Sequence, residues 1–213
     1  MSTITIIGNG LMARGIGTRA VAAGWNVQIL GRDAAKAQAL AAELGPEVTS
    51  GTLAEVPAGE LVVLALYFDA AKEVVGNYGE ALSGKTIIDI GNPVNVETFD
   101  SLVVEPGNSG AEEIARLAPA DASVVKAFNT TFAGTLATGQ TAGQPLDVLI
   151  AGDNPESNAA VASLVAAGGM RPLVVGPLNR ARELEGFQFV VMTLQASPEF
   201  PDFNWNTALK ILN

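Results

Sequence analysis

The chain has 213 residues, with 12 basic and 22 acidic side chains, no histidine, no cysteine and a formal net charge of −10. That inventory excludes a disulfide framework, a thiolate nucleophile, an iron–sulfur cluster, the usual zinc sites and any proton shuttle through imidazole. The acidic balance argues against a nucleic-acid partner, and 48% hydrophobic against 16% charged residues excludes a disordered chain.

Taken in chain order, Thr3–Ile7 is the first predicted strand, and with no basic region ahead of it the N-terminus does not read as a secretory signal. A helix over residues 11–23 follows and stops at Gly24. A second strand spans residues 26–30, and a second helix, Ala34–Leu44, runs from Asp33 to Gly45-Pro46. Further strands are expected over residues 61–67, 86–90, 123–127, 147–151 and 171–175. Asn154-Pro155 opens a helix over 156–167, as an N-cap with proline at the first helical position. Another helix, bearing Arg and Glu, begins near Asn179.

The strands are apolar without strict alternation, as strands covered on both faces are. The longest apolar run, residues 61–68, is much shorter than the ~20 residues of a membrane-spanning helix. A cytoplasmic protein with no membrane contact is therefore expected. Strand alternating with helix means βαβ units. The fold class is α/β: a Rossmann-type, doubly wound, mainly parallel sheet with a short C-terminal α/β extension. A domain over 1–129 and a smaller unit over 130–213 are expected. Residues 91–110 are rich in turn formers, and ordered loops of that length tend to be functional. The aromatic tail (Phe200, Phe203, Trp205) reads first as packing onto the body, and second as a dimer contact or pocket rim.

Gly8-Asn9-Gly10-Leu11-Met12-Ala13 is G-x-G-x-x-A, closing a strand and opening a helix inside a βαβ unit. In that setting Gly8 permits the turn, Gly10 lets a pyrophosphate approach the backbone, and Ala13 lets helix and strand pack closely. The end of the second strand reports which nucleotide. Where NAD-binding chains place an acid for the ribose hydroxyls, this one has Gly31, then Arg32, with Lys36 a turn later. An arginine fork and a lysine suit a 2′-phosphate, so NADP is favoured over NAD. Asp33, the competing ribose ligand, is expected to be occupied as a helix cap. Residues 1–42 hold Arg14, Arg19, Arg32 and Lys36 against Asp33 alone, a net +3, which leaves −13 for the remainder. That positive end is expected to steer the anionic cofactor.

The ordered set GNGLMARGI, LGRDAAKA, IIDIGNPVN, VVKAFNT, LIAGDNPES and VVGPLNRARELEGF resembles the F420-dependent NADP reductases. The oxidoreductase domain of the six-transmembrane metalloreductases is a relative of that family. The resemblance implies NADP(H) as hydride carrier and a homodimer. It puts Gly8, Asn9, Gly10, Leu11 and Met12 at the pyrophosphate, and Arg32 and Lys36 at the 2′-phosphate. Leu66 and Tyr67 would border the ribose and nicotinamide, with Asn92 and Pro93 near the nicotinamide ribose. Ala127, Phe128 and Asn129 would line the end where the acceptor ring stacks. Residues 126–130 are closer to the metalloreductase relatives, which leaves the acceptor open between coenzyme F420, a flavin and another ring. With neither a membrane span nor haem-ligating histidine in it, this sequence is not expected to be a transmembrane metalloreductase itself.

Hydride transfer between two stacked rings needs no protein nucleophile and no metal. No catalytic side chain and no metal ligand are therefore assigned. Two alternatives stay open: a reductase of a small carbonyl or imine using Lys126 as acid/base, and a noncatalytic NADP-binding module that senses redox state.

Overall fold

In the computed structural model, residues 2–212 are described. The elements in chain order are β1 (Thr3–Ile7), α1 (Leu11–Ala22), β2 (Asn26–Gly31), α2 (Ala34–Leu44), β3 (Thr49–Thr52), β4 (Leu61–Leu64) and α3 (Phe68–Tyr78). They continue with β5 (Thr86–Asp89), α4 (Gly110–Leu117), β6 (Ser123–Lys126), α5 (Ala133–Thr138), β7 (Gln140–Thr141) and β8 (Gln144–Pro145). β9 (Asp147–Gly152), α6 (Pro155–Ala167), β10 (Arg171–Gly176) and α7 (Ala181–Ala196) complete the fold.

The main sheet runs β3-β2-β1-β4-β5-β6-β9-β10. Its first six strands are all parallel and follow the standard dinucleotide-binding order, which reverses between β1 and β4. The expected Rossmann-type α/β fold is the one observed. Burial of both faces explains the unbroken apolar strands. Ile4 and Ile6 pack under α1 and α2 with Ala13, Ile16 and Ala20. Ile7, Leu64 and Ile87 face the other layer, with Val74 and Val75 of α3 and Ile114 of α4.

Beyond residue 129 the sheet continues without a gap. β9 pairs antiparallel with β6, Lys126 opposite Ala151, and β10 lies parallel to β9. That reversal brings the first residues of β9 and β10, Asp147 and Arg171, to the side of the sheet where the six parallel strands end, beyond the last residue of β6.

Two expectations need correction. The run at 61–67 is a strand only as far as Leu64, because Ala65–Tyr67 peel away to reach α3, where Tyr67 is the N-cap. The polar strand β3, TSGT, was not foreseen: it sits at the sheet edge and buries no residue fully, so it leaves no hydrophobic signal. The 91–109 segment is irregular, with one bridge from Val94 to Leu102, and rests on α7 through an edge-on contact of Phe99 and Phe189 at 5.9 Å.

Candidate active site

A cleft of about 680 Å³ opens at the carboxyl ends of the parallel strands, where the sheet order reverses. One end is the glycine turn. Gly8 has φ +124°, and a Cβ there would stand 2.3 Å from the Ala65 carbonyl oxygen, so only glycine lets β1 and the end of β4 come this close. Gly10 faces open space, with nothing within 4 Å of a would-be Cβ. It is also the N-cap of α1, where no side chain caps the helix, so the N–H groups of the first turn are left for water or an anion.

Gly31 ends β2 beneath this turn, and a Cβ on it would come within 3.0 Å of Asn9 Nδ2. Arg32 and Lys36 are exposed on the cleft wall beside it. Asp33 is occupied as expected, its carboxylate accepting from the Lys36 backbone N–H at 3.1 Å as the cap of α2. Among the described residues Arg32 has no ion pair, and Lys36 approaches only Asp33, at 3.8 Å.

The other end gathers Ile90, Asn92, Asn129, Phe132, Gln188, Met192 and Trp205 from four separate stretches of chain. Asn92 Nδ2 donates to the Asn129 backbone carbonyl at 3.1 Å, and Asn129 Nδ2 donates to Asn92 Oδ1 at 3.0 Å. That pair fixes both amides. The first bond requires the Asn92 amine, so its oxygen must meet the Asn129 amine, leaving Asn129 Oδ1 without a partner. Gln188 Oε1 is also buried and unpartnered. The cleft therefore ends on an apolar wall whose polar residues still have acceptor oxygens to satisfy.

The NADP oxidoreductase, coenzyme F420-dependent, family matches residues 3–93. A structure from Arthrobacter sp. FB24, provisionally described as an F420-dependent NADP reductase, superposes with a TM-score of 0.85 at 26% identity, covering 99% of each chain. The metalloreductase STEAP3 of Rattus norvegicus is 33% identical over 184 residues, which is 85% of this chain and 35% of that protein. A hypothetical protein from Sinorhizobium meliloti superposes with a TM-score of 0.76 at 27% identity, over 84% of this chain and 86% of the other.

Residues 3–93 thus match the F420-dependent NADP oxidoreductase family, and the Arthrobacter structure is similar to the chain over nearly its whole length. The chain spans about a third of the length of the curated metalloreductases it matches. Of the residues that the motifs pointed to, Gly8, Asn9, Gly10, Leu11, Met12, Arg32, Lys36, Leu66, Tyr67, Asn92 and Asn129 all line the cleft. Three others do not. Pro93, Ala127 and Phe128 are buried behind the wall. Phe128 adopts φ +62°, a left-handed conformation rare for a bulky residue, and its carbonyl accepts from Thr131 N–H and Oγ1 at 3.1 and 2.6 Å. That turn sends the Phe128 ring into the core and delivers Asn129 and Thr131 to the cleft. Phe132, Gln188, Met192 and α3 residues such as Glu73 were not foreseen. Trp205, expected to pack on the body or to rim a pocket, does both: it stands edge-on to Phe132 at 5.7 Å and lines the cleft.

Lys126 is not in the cleft. It is fully buried, its ammonium 2.7 Å from Asp89, 2.6 Å from Glu185 and 2.6 Å from the Gly91 carbonyl. Burial works against the ammonium, but the Asp89 and Glu185 carboxylates outweigh it and hold the group above the ordinary lysine range. For Glu185 burial wins, and its carboxyl is raised despite Lys126. Glu185 also accepts from Gly110 N–H at 2.9 Å and Ala111 N–H at 3.3 Å, at the start of α4. Asp89 accepts from Gly91 N–H at 2.9 Å. The cluster thus grips both sides of the Gly91 peptide, from which Asn92 reaches the cleft.

The positive end also needs refinement. Arg14 pairs with Glu43 at 3.0 Å, just past the stretch counted as +3. Arg19 turns away toward the carbonyls of Thr138 and Gly168. Only Arg32 and Lys36 of the four face the cleft. Among the described residues no group of acidic side chains is arranged to hold a metal, and no helix is long and apolar enough to cross a membrane.

Proposed function

We propose that this protein transfers a hydride between NADP(H), held at the glycine end of the cleft, and a flat redox ring such as coenzyme F420 or a flavin at the Trp205 end. The observation that carries the reading is the contrast along one continuous cleft: open glycine backbone and two cations at one end, apolar and aromatic wall at the other.

The residues present fit NADP(H). Open space at Gly10 and the uncapped start of α1 suit a pyrophosphate, with Asn9, Leu11 and Met12 around it. The Arg32 fork and Lys36 suit a 2′-phosphate, and Leu66 and Tyr67 the sugar and ring beyond. The unpartnered Asn129 and Gln188 oxygens, with Asn92 between strands and cleft, suit amide or ring N–H donors. NADP(H) would supply the hydride itself. Ile90, Phe132, Met192 and Trp205 would exclude water from the second ring and hold it flat, within the ~3–3.5 Å that such transfer needs. Backbone N–H groups would meet charge developing on that ring.

Lys126 contributes no proton in this reading, since its ammonium is already held by two carboxylates and a carbonyl. That weighs against a carbonyl or imine reductase built on Lys126. The reading takes the protein as a cytoplasmic homodimer, with exposed Phe187 and Val190 on α7 as the apolar seam; sedimentation at working concentration tests that part. The deciding experiment is NADPH oxidation with F420, FMN, and a panel of small carbonyls and imines in parallel. Turnover with a ring acceptor alone is expected. Turnover with carbonyls or imines alone overturns the reading, and tight NADPH binding without turnover on any acceptor favours the redox-sensing alternative.

A further inference from the structure

The tail over residues 197–212 has no helix or strand, yet it is fastened to the body at two places. At the first, Gln195 of α7 is buried, and its Oε1 accepts from the Trp205 backbone N–H at 2.9 Å and from Thr207 Oγ1 at 2.9 Å. Gln195 Nε2 donates to the Val191 carbonyl at 3.3 Å, which fixes the amide so that its oxygen faces the tail. At the second, the buried Asp147 carboxylate accepts from Arg171 Nε and Nη2 at 2.7 and 2.6 Å, from Lys210 Nζ at 2.6 Å and from Ile211 N–H at 2.8 Å. Lys210 also donates to the Pro145 carbonyl at 2.9 Å, and Arg171 to the Ile211 carbonyl. Leu209 packs between the two fasteners, on Leu149, Ala151 and Leu184.

Trp205 has φ +62°, which a large residue adopts only when its surroundings impose it, and its N–H is the one that Gln195 holds. The indole stands at 88° to the Phe132 ring in the cleft wall. The reversed direction of β9 is what makes the second fastener useful, because it puts Asp147 on the cleft side of the sheet rather than the far side. Neither Gln195 nor Asp147 lines the cleft.

We infer that Gln195 and Asp147 are positioning residues for the acceptor ring: together they seat Trp205 as a fixed wall of the cleft, and they act on the second ring without contacting NADP(H). The inference rests on the hydride-transfer reading above for its kinetic consequence, but not for its structural one.

The chain has two tryptophans, so Trp25→Phe makes Trp205 the sole reporter. In that background Gln195→Leu, Gln195→Glu and Asp147→Asn are compared by acrylamide quenching of Trp205, by quenching on titration with FMN, and by steady-state kinetics. Gln195→Leu and Asp147→Asn are expected to raise acrylamide quenching. They should also raise the acceptor KM by about fivefold or more, with the NADPH KM within about twofold. Gln195→Glu keeps an oxygen for both tail bonds but turns a second oxygen toward the Val191 carbonyl, so it should fall between the parent and Gln195→Leu. Unchanged Trp205 quenching in Gln195→Leu and Asp147→Asn overturns the inference, and so does looser Trp205 with unchanged FMN affinity and acceptor KM. Both quenching measurements run without turnover. An inactive parent with every acceptor would therefore sink the hydride reading, while the Trp205 signal and FMN binding would still decide this one.

Discussion

The two ends of the cleft are built on opposite principles. The proposed phosphate end comes from one βαβ unit, residues 8–36 among them, and its parts are mostly backbone: a glycine turn, an uncapped helix start and two exposed cations. The proposed ring end is drawn from the segment after β5, the turn after β6, α7 and the tail, and it relies on buried side chains that hold one another. A site made from backbone needs the right residues in the right local order. A site made by convergence of distant segments needs the entire sheet in place first, and damage to its supports should cost stability as well as function.

The largest effect that would test this contrast is at Lys126. Lys126→Met strands two buried carboxylates, and urea unfolding should show a loss of about 3–5 kcal/mol. A loss as small as that of an exposed Arg32→Met control would mean that the cluster does not support the ring end. At the phosphate end Gly8→Ala meets both a forbidden φ and the Ala65 carbonyl, and should cost about 2–3 kcal/mol. Its neighbour Gly10→Ala has room for the methyl, so stability should hold within about 0.5 kcal/mol while NADPH affinity falls. Equal destabilisation by the two glycine changes would erase the distinction between a glycine required by the fold and one required by the ligand.

Arg32→Ala should weaken NADPH binding by about 1–3 kcal/mol and leave NADH binding nearly unchanged, as titration calorimetry would show. Equal losses for both would remove the 2′-phosphate assignment. The smallest effect concerns pH and the tail. Burial alone would raise the Asp147 carboxyl, but Arg171, Lys210 and the Ile211 N–H lower it to about 2. A depressed folded value means that the stabilisation is complete above the unfolded value near ~3.9 and fades as pH falls toward the folded one, by about 1–2 kcal/mol. Asp147→Asn should flatten that acid limb of the stability profile; an unaltered limb would place the acid sensitivity elsewhere.

This contrast also explains how much was legible beforehand. Gly8 to Met12, Gly31, Arg32, Asp33 and Lys36 were readable because their roles follow from local order: a turn, a cap and a helix start. Asn92 and Asn129 were readable only through the family resemblance, since nothing in their neighbourhoods says that they meet. Phe128 was misplaced by one physical detail, its left-handed backbone, which no propensity foretells and which goes with a ring buried in the core, whereas Ala127 simply continues the line of β6 within the sheet, its N–H donating to the Asp89 carbonyl at 3.2 Å. Gln188, Met192 and Phe132 leave no local signal, because an apolar or amide residue on a helix reads as core until the facing element is known. Lys126 was rightly placed near the strand ends, but its buried partner Glu185 lies on α7, far along the chain.

Gly31 has a consequence for how cofactor preference can change over generations. An acid there is the simplest route toward a cofactor lacking the 2′-phosphate, yet even the first carbon of such a side chain would crowd Asn9 Nδ2 at 3.0 Å. The step therefore depends on Asn9 giving way by a few tenths of an ångström. Gly31→Asp is expected to be better tolerated once Asn9 is trimmed, for example to alanine, than in the parent. Saturation libraries at position 31 would return few winners in the parent and many more in an Asn9→Ala ancestor.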